Sequence, residues 1–194
     1  MGLKLSVKIG DVTNLSDARY AAGMGVDYIG FNINSSSANF VSPSIFKEIT
    51  NWVSGVGIIG EIGDTEPANK SEYPAFLSET TDASNLIEES VFRVDATQLS
   101  IDSVKNLLPK AGKAVFTIIE LTTAQIESSS PELATLCADW PIYISAKFSE
   151  DLLEAVVEKI KPQGIEIKGG IEDQPGFKDY DGIADVLEWL EEDD

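Results

Sequence analysis

The stretch VKIGDVTNLSDARYAAGMGVDYIGF, residues 7–31, decides the fold prediction. It opens within an apolar run, Leu5–Ile9, of the kind found in strands buried on both faces. Asn14 starts a pattern that resembles a helix capping box, and Gly25 suits the left-handed position just after a helix end. A second apolar run, Tyr28–Ile33, then follows. The stretch therefore predicts a β–α–β unit.

Similar runs continue along the rest of the chain. They are Gly57–Ile62, Pro74–Ser78, Val91–Ala96, Ala114–Ile119, Ile142–Ala146 and Gly164–Lys168. Helical patterns separate most of them, with N-caps predicted at Ser42, Ser100 and Ser149. Residues 63–89 are rich in Asp, Glu, Thr, Ser and Pro. They predict one turn or an irregular loop after the third strand and a short helix near Ser84–Ser90 after the fourth.

Alternating strands and helices over the whole length favour a (β/α)₈ TIM barrel. A length of 194 residues suits one domain, so residues 1–194 are predicted to form a single barrel domain with shortened helices after strands 3 and 4. The alternative is an open, doubly wound sheet. No Gly-x-Gly-x-x-Gly motif follows the first strand, and this counts against the alternative.

The charge balance narrows the class of partner. Lysine and arginine together number 14 against 33 acidic residues, which gives a formal net charge of −19. Such a surface repels phosphodiester backbones and anionic lipids, so nucleic acid and membrane are not expected partners. No apolar run is long enough to span a bilayer, and MGLKLSVKIG reads as a strand rather than a signal peptide. We therefore expect a cytoplasmic protein.

The chemistry is limited by two residue counts. The chain has one cysteine, Cys137, and no histidine. These counts exclude an intramolecular disulfide, a Cys/His zinc site and any histidine-dependent triad. Acid–base chemistry must therefore use carboxylates, lysine, tyrosine or Cys137, and no metal site is predicted.

Four stretches of the sequence resemble motifs of one enzyme family. Residues 7–31 resemble the Val-Lys-Ile-Cys-Gly-x-Thr…Glu-Asp-Ala…Gly-Ala-Asp-x-Ile-Gly-Phe pattern of phosphoribosylanthranilate isomerases. FVSP and VGIIGE follow in the family's order, and GIEIKGGIEDQPGFKD is similar to its Val-Asp-Val-Ser-Ser-Gly-Val-Glu…Pro-Gly-x-Lys-Asp. The two ends match specifically, whereas the middle matches in strand order. The resemblance implies an Amadori rearrangement of a phosphoribosylamine in tryptophan biosynthesis.

That reaction needs an acid for the ring oxygen and a base for the C2 proton. The family's acid closes strand six, where this chain has Glu120. An ion pair of Glu120 with Lys147 or Arg93 is the alternative. The family's base is the Cys after Lys-Ile, and Gly10 stands there, followed by Asp11. Asp11 is the candidate replacement base, unless it only caps a turn.

The resemblance also implies a phosphate grip at the ends of strands seven and eight. Here that region carries Lys147, Lys168, Gly169 and Gly170, which together offer cations and backbone N–H groups to an anion. The alternative is that the two lysines pair with acidic neighbours. The candidates for such pairs are Glu120, Glu166 and Glu172.

Further substrate contacts are predicted at Lys8, Arg93 and Asn39. Lys8 matches the family directly, and Arg93 stands where the family has a lysine on strand five. Both are also candidates for structural charges inside the barrel mouth. Asn39 replaces the family's anthranilate-binding arginine, and a neutral amide cannot grip a carboxylate in bidentate fashion.

The sequence therefore predicts a phosphoribosylanthranilate isomerase-like protein that acts on a small phosphorylated sugar derivative. It would need no metal or organic cofactor and would be a monomer or a homodimer. The first alternative is a non-catalytic paralogue that binds a small phosphorylated or anionic ligand. A Schiff-base aldolase that uses Lys147 or Lys168 is the second.

Overall fold

The computed structural model describes residues 2–169, 172–174, 177–178 and 181–192. Eight parallel strands follow one another around a closed barrel, and the eighth pairs with the first. The strands are β1 Ser6–Gly10, β2 Tyr28–Asn32, β3 Gly57–Gly63, β4 Leu77–Thr80, β5 Ser90–Asp95, β6 Phe116–Glu120, β7 Ile142–Ser145 and β8 Gly164–Lys168. The predicted (β/α)₈ fold is confirmed.

Helices cover the outside of the barrel. They are α1 Leu15–Gly23, α2 Pro43–Thr50, α3 Ile101–Leu107, α4 Thr123–Ser128, α5 Ser130–Asp139, α6 Glu150–Glu154 and α7 Asp181–Leu190. A π-helical segment, Ala155–Ile160, continues α6. A short antiparallel ribbon that the sequence did not predict, β9 (Glu172–Gln174) with β10 (Phe177–Lys178), precedes α7. In the described part of the chain, no helix has both the length and the apolar character of a membrane span.

The predicted helix ends are confirmed in detail. Asn14 Oδ1 accepts a hydrogen bond from the Asp17 N–H at 3.0 Å, which satisfies one of the free donors of the first turn of α1. Gly25 has a φ of 75°, the left-handed conformation that glycine adopts without strain. Serine side chains accept the same kind of bond at three other helix starts, namely Ser42, Ser100 and Ser149.

The fourth strand lies later in the chain than predicted. It spans Leu77–Thr80 rather than Pro74–Ser78. Phe76, the aromatic residue of the predicted segment, packs outside the barrel instead, as does Tyr73 just before that segment. The Tyr73 and Phe76 rings lie 5.2 Å and 5.8 Å from the Phe46 ring of α2. The predicted position was wrong because these side chains belong to the interface with a helix.

The connections after β3 and β4 are short, as predicted. A 3₁₀ turn, Lys70–Glu72, lies in the first of them. The second holds another 3₁₀ turn, Ala83–Asn85, where a short helix near Ser84–Ser90 was expected. That expectation was wrong, because Ser90 is already the first residue of β5.

Aromatic side chains close the barrel at the amino-terminal ends of its strands. The Tyr28 ring lies 5.2 Å from Phe116 and 6.4 Å from Tyr143. Gly57 and Gly164 leave room for these rings, because a Cβ there would lie 2.5 Å from the Tyr28 ring and 2.4 Å from the Tyr143 ring. These rings form a packed floor at the amino-terminal ends of the strands, opposite the carboxyl ends where TIM-barrel active sites lie.

Candidate active site in the barrel mouth

A buried ammonium group lies above this aromatic floor. Lys8 on β1 has no exposed surface, and its Nζ lies 2.7 Å from Glu61 Oε1 and 2.5 Å from Glu166 Oε1. Glu79 Oε2 lies 2.8 Å away, although it is not aligned for a hydrogen bond. Lys8 is thus shared among three carboxylates from β3, β4 and β8. A side chain enclosed in this way cannot contact a substrate directly, as the sequence predicted for Lys8. The enclosure agrees with the alternative, a structural charge inside the barrel mouth.

Arg93 on β5 is the second cation of the cluster. Its Nε donates to Glu79 and its Nη2 to Glu166, while its Nη1 lies 3.4 Å from Glu120 Oε2. Only 15% of the side chain is exposed. Arg93 therefore joins the buried carboxylates to the one that closes β6.

The two cations determine the charge states of most of this cluster. Burial alone disfavours the charged form of each group, but Arg93 and Lys8 more than offset it and lower the pKa of Glu79 and of Glu166. Burial likewise opposes the charge on Lys8, and the surrounding glutamates raise its pKa above the ordinary value. Glu79, Glu166 and Lys8 therefore stay ionised at neutral pH.

Glu61 differs from the other carboxylates of the cluster. Burial raises its pKa from 4.5 to about 7, against the opposing effect of Lys8, and the charges of Glu79 and Asp11 add to the rise. A carboxyl group that titrates near neutrality can both accept and donate a proton at the pH of a cell. Gly30 on β2 makes room for this side chain, since a Cβ there would lie 2.1 Å from Glu61 Oε1.

The same three glutamates could in principle hold a metal ion. Oxygens of Glu61, Glu79 and Glu166 all lie within 4.8 Å of one another. The positive charge that they need is already supplied by Lys8 and Arg93, which contact these oxygens directly. A divalent cation would have to displace the Lys8 ammonium, so the cluster is better described as an ion-pair network.

Two cavities open above the network. One of about 200 Å³ lies over β1–β6 and is lined by Asp11, Asn32, Glu61, Gly63, Glu79, Thr81, Arg93, Glu120 and Lys168. The other, of about 430 Å³, lies toward β7 and β8 and is lined by Glu120, Leu121, Ser145, Ala146, Lys147, Phe148, Ile167, Lys168, Ile183 and Val186. Glu120 and Lys168 line both cavities. The predicted groups at the ends of β6, β7 and β8 thus meet at one rim of the barrel.

Glu120 stands where the two cavities join. It is the last residue of β6, and 27% of its side chain is exposed. Lys168 Nζ donates to its Oε1 at 2.6 Å, and Arg93 approaches its other oxygen. The ion pair with Arg93 that the sequence left as an alternative is present, and Lys168 takes the place expected of Lys147. The carboxylate nevertheless remains open to a ligand from either cavity.

The residues predicted to hold phosphate are placed in different ways. Lys147 is exposed, lines the larger cavity and has no ion pair among the side chains that the structure describes, which do not include that of Glu172. Gly169 N–H donates to Gly10 O at 2.8 Å, so this donor extends the parallel pairing of β8 with β1 instead of facing an anion. Gly170 lies outside the described residues. Of the predicted phosphate-binding groups that the structure describes, the Lys147 and Lys168 side chains line the larger cavity.

Asp11 and Asn39 complete the predicted set. Asp11 lines the smaller cavity, and its φ of 55° is a left-handed conformation that aspartate tolerates better than most residues. Its N–H points at the Glu61 carboxylate, 3.4 Å from each oxygen. Asn39 is exposed in the loop after β2, where its N–H donates to Ser37 Oγ. It is not among the described residues that line the two mouth cavities. Only Asp11 of this pair reaches the candidate site.

The raised pKa of Glu61 predicts a pH-dependent stability difference in Glu61→Gln. Between the ordinary pKa of 4.5 and the raised value of about 7, the native state holds a proton on Glu61 that the unfolded chain has released. The stability that the protonated side chain contributes is therefore complete below pH 4.5 and is lost as the pH rises through about 7. Glutamine mimics the protonated side chain, so the variant should gain about 3 kcal/mol relative to wild type between pH 4.5 and pH 8. Denaturant unfolding at a series of pH values measures this difference.

Glu72→Gln is the matched control, because Glu72 is exposed in the turn after β3. Its free energy of unfolding should stay close to that of wild type, because the exposed side chain does not touch the ion-pair network. A Glu61→Gln curve that runs parallel to wild type across the same range would show that Glu61 titrates normally.

Comparison with known proteins supports one relationship along nearly the whole chain, although no family model matches it. N-(5'-phosphoribosyl)anthranilate isomerase of Chlorobium phaeovibrioides is 26% identical over 205 residues, which cover 93% of this chain and 94% of that protein. The phosphoribosyl anthranilate isomerase structure from Thermus thermophilus superposes with a TM-score of 0.68 at 18% identity and covers 96% of this chain and 98% of its own. A phosphoribosyl anthranilate isomerase in complex with reduced 1-(o-carboxyphenylamino)-1-deoxyribulose 5-phosphate gives a TM-score of 0.67 at 19% identity, with the same coverage.

Fold and site together define a (β/α)₈-barrel protein with an acid-rich mouth at the carboxyl ends of its strands. Within that class, the resemblance to the phosphoribosylanthranilate isomerase family inferred from the sequence is confirmed. The likeness extends over more than nine tenths of this chain and of the isomerases compared with it.

Proposed function

We propose that the protein is a phosphoribosylanthranilate isomerase-like enzyme, which converts a phosphorylated ribosylamine into the corresponding 1-amino-ketose. The observation that carries the proposal is the position of Glu120. It closes β6 and faces both mouth cavities. A partly exposed carboxyl group at the carboxyl end of a barrel strand is suited to donate a proton to a bound sugar.

The two cavities divide the substrate between them in this proposal. The phosphate lies in the larger cavity, where Lys147 and Lys168 are the cations. Glu120 gives its proton to the ring oxygen, which opens the ring and leaves a C1=N double bond. A carboxylate on the opposite side of the smaller cavity, where Asp11 and Glu61 lie, then takes the C2 proton. The scheme moves only protons, so it includes no cofactor.

The relatives support the choice of substrate. The phosphoribosyl anthranilate isomerase that superposes with a TM-score of 0.67 was crystallised with a reduced phosphorylated aminoketose. This ligand resembles the product of the proposed reaction. The combined volume and the mixed lining of the mouth fit a ligand of this size. Phosphoribosylanthranilate is therefore the first substrate to test.

Turnover is measured by the loss of phosphoribosylanthranilate fluorescence after addition of the purified protein. We expect a rate that is proportional to protein concentration and is abolished by prior heat denaturation. A rate no greater than that of buffer at high protein concentration would reject the isomerase proposal.

The alternative function is that of a non-catalytic paralogue that binds a phosphorylated or anionic ligand. A phosphate-binding measurement distinguishes such a binding protein from a protein that has no ligand site. Inorganic phosphate should raise the melting temperature of the wild type, and Lys147→Ala should remove this effect because Lys147 is exposed and has no ion pair among the side chains that the structure describes. Lys113→Ala, at another exposed lysine, is the control. Stabilisation without turnover would favour the binding protein, and no stabilisation would contradict a phosphate grip at Lys147.

A further inference from the structure

The space beside Gly10 is filled by two carboxylates from other strands. A Cβ on Gly10 would lie 2.9 Å from Glu166 Oε1, 3.0 Å from Glu61 Oε1 and 3.3 Å from Lys8 Nζ. A side chain at position 10 would therefore occupy the place that these carboxylates now occupy. The loss of a side chain on β1 is matched by acidic side chains that reach the same point from β3 and β8.

Only one of the two carboxylates is open to a ligand. Glu166 has no exposed surface, and both Lys8 and Arg93 hold it from within the barrel. Glu61 lines the smaller cavity and keeps 9% of its side chain exposed. Its Oε1 binds Lys8, whereas the nearest donor described for Oε2 is the Asp11 N–H at 3.4 Å. Glu61 Oε2 is thus the oxygen available for a proton from the mouth.

We propose that Glu61, rather than Asp11, is the catalytic base that takes the C2 proton, an inference that rests on the proposed isomerase function. Its carboxylate removes the proton from C2 of the ring-opened intermediate. The C2–H electron pair forms the C1–C2 double bond, and the pair of the C1=N bond returns to nitrogen. Protonation of C1 and loss of the C2 hydroxyl proton then give the 1-amino-ketose.

Asp11 has a positioning role in this arrangement. Its left-handed backbone directs its N–H toward both oxygens of Glu61, and its charge opposes ionisation of that carboxyl. The pKa of Glu61, about 7, leaves a large fraction of the group ionised at neutral pH and still basic enough to accept a proton. Loss of the Asp11 charge should therefore change the pKa of the base without removing the base.

The pH dependence of kcat/KM for phosphoribosylanthranilate distinguishes the two carboxylates. Wild type should gain activity as one group ionises near pH 7, and Glu61→Gln should lower kcat by roughly 100- to 10,000-fold. Glu61→Asp should retain part of the activity, because it keeps a carboxylate. Asp11→Asn should keep kcat within several-fold of wild type and move the apparent pKa down. The exposed control Glu72→Gln should match wild type.

A carbon-13 NMR titration of the glutamate side chains provides a readout that does not need turnover. The Glu61 signal, assigned by its loss in Glu61→Gln, should titrate near pH 7 and shift to lower pH in Asp11→Asn. An active wild type with an active Glu61→Gln overturns the assignment and leaves the proposed function standing. An inactive wild type in which Glu61 still titrates near 7 overturns the isomerase function and supports Glu61 as the proton-exchanging group of the mouth. A Glu61 signal that titrates near the ordinary value of 4.5 would overturn the inference, whether or not the wild type is active.

Discussion

Glu120→Gln should lower kcat for phosphoribosylanthranilate by roughly 100- to 10,000-fold while KM changes little. The amide cannot donate a carboxyl proton to the ring oxygen. It keeps the size of the side chain, and its oxygen can still accept from Lys168, which lies 2.6 Å from Glu120 Oε1. Ligand binding should survive for that reason. Steady-state kinetics, together with calorimetric binding of a reduced aminoketose phosphate, separates the two effects.

Glu127→Gln is the matched control for this substitution, because Glu127 is exposed on α4 next to β6. It should leave both kcat and KM unchanged. A Glu120→Gln variant with kcat within threefold of wild type would place the proton donor elsewhere. A variant that loses ligand binding along with activity would assign Glu120 to binding instead.

Most of the fold could be predicted from the sequence because its signals are local. Mainly apolar runs marked seven of the eight strands, and single capping residues such as Asn14 and Ser100 marked the helix starts. β4 was misplaced for a physical reason. Ser78, Glu79 and Thr80 are polar yet buried, so a prediction that identifies strands by their apolar residues does not include all of them. Only the pairing with neighbouring strands, which the sequence does not display, identifies that segment as part of the barrel.

The candidate site was predictable at the rim but not in the interior. Glu120 and Lys168 were found because each ends an apolar strand, and position alone indicated that they face the mouth. Glu61 and Glu79 were missed, although each is a lone acid within a strand, which is a signal of a buried functional group. Their partners lie far away in the chain: 53 residues separate Glu61 from Lys8. The sequence alone shows that each acid is isolated within its strand. The cation that it contacts becomes visible only once the barrel is closed.

Lys8→Met should cause the largest loss of stability among these variants. The change removes the cation shared by Glu61, Glu79 and Glu166 and leaves three carboxylates close together at the centre of the barrel. Breaking a buried ion pair on one side typically costs about 3–5 kcal/mol, because an uncompensated charge remains in a place with little water. Denaturant unfolding at pH 8 should show a loss of this size. Lys113→Met, at an exposed lysine, should show almost none.

The dependence of this loss on pH tests its electrostatic origin. The pKa of Lys8 lies above its ordinary 10.5, so the ammonium is charged in both states between pH 5 and 9 and its own titration adds no slope there. The slope comes from the carboxylates. Without Lys8 their pKa values rise, so the variant recovers stability as acid neutralises them. The loss should therefore be smaller at pH 5 than at pH 8.

A double variant separates charge from packing. Glu61→Gln in the Lys8→Met background removes one of the repelling carboxylates and should restore part of the stability at pH 8, because the two residues contact each other and their effects are not additive. The packing loss at Lys8 would be the same in the single and the double variant. Strictly additive effects, or a Lys8→Met loss that does not change with pH, would mean that Lys8 fills space rather than balancing charge, and the network would then have no part in setting the pKa of Glu61.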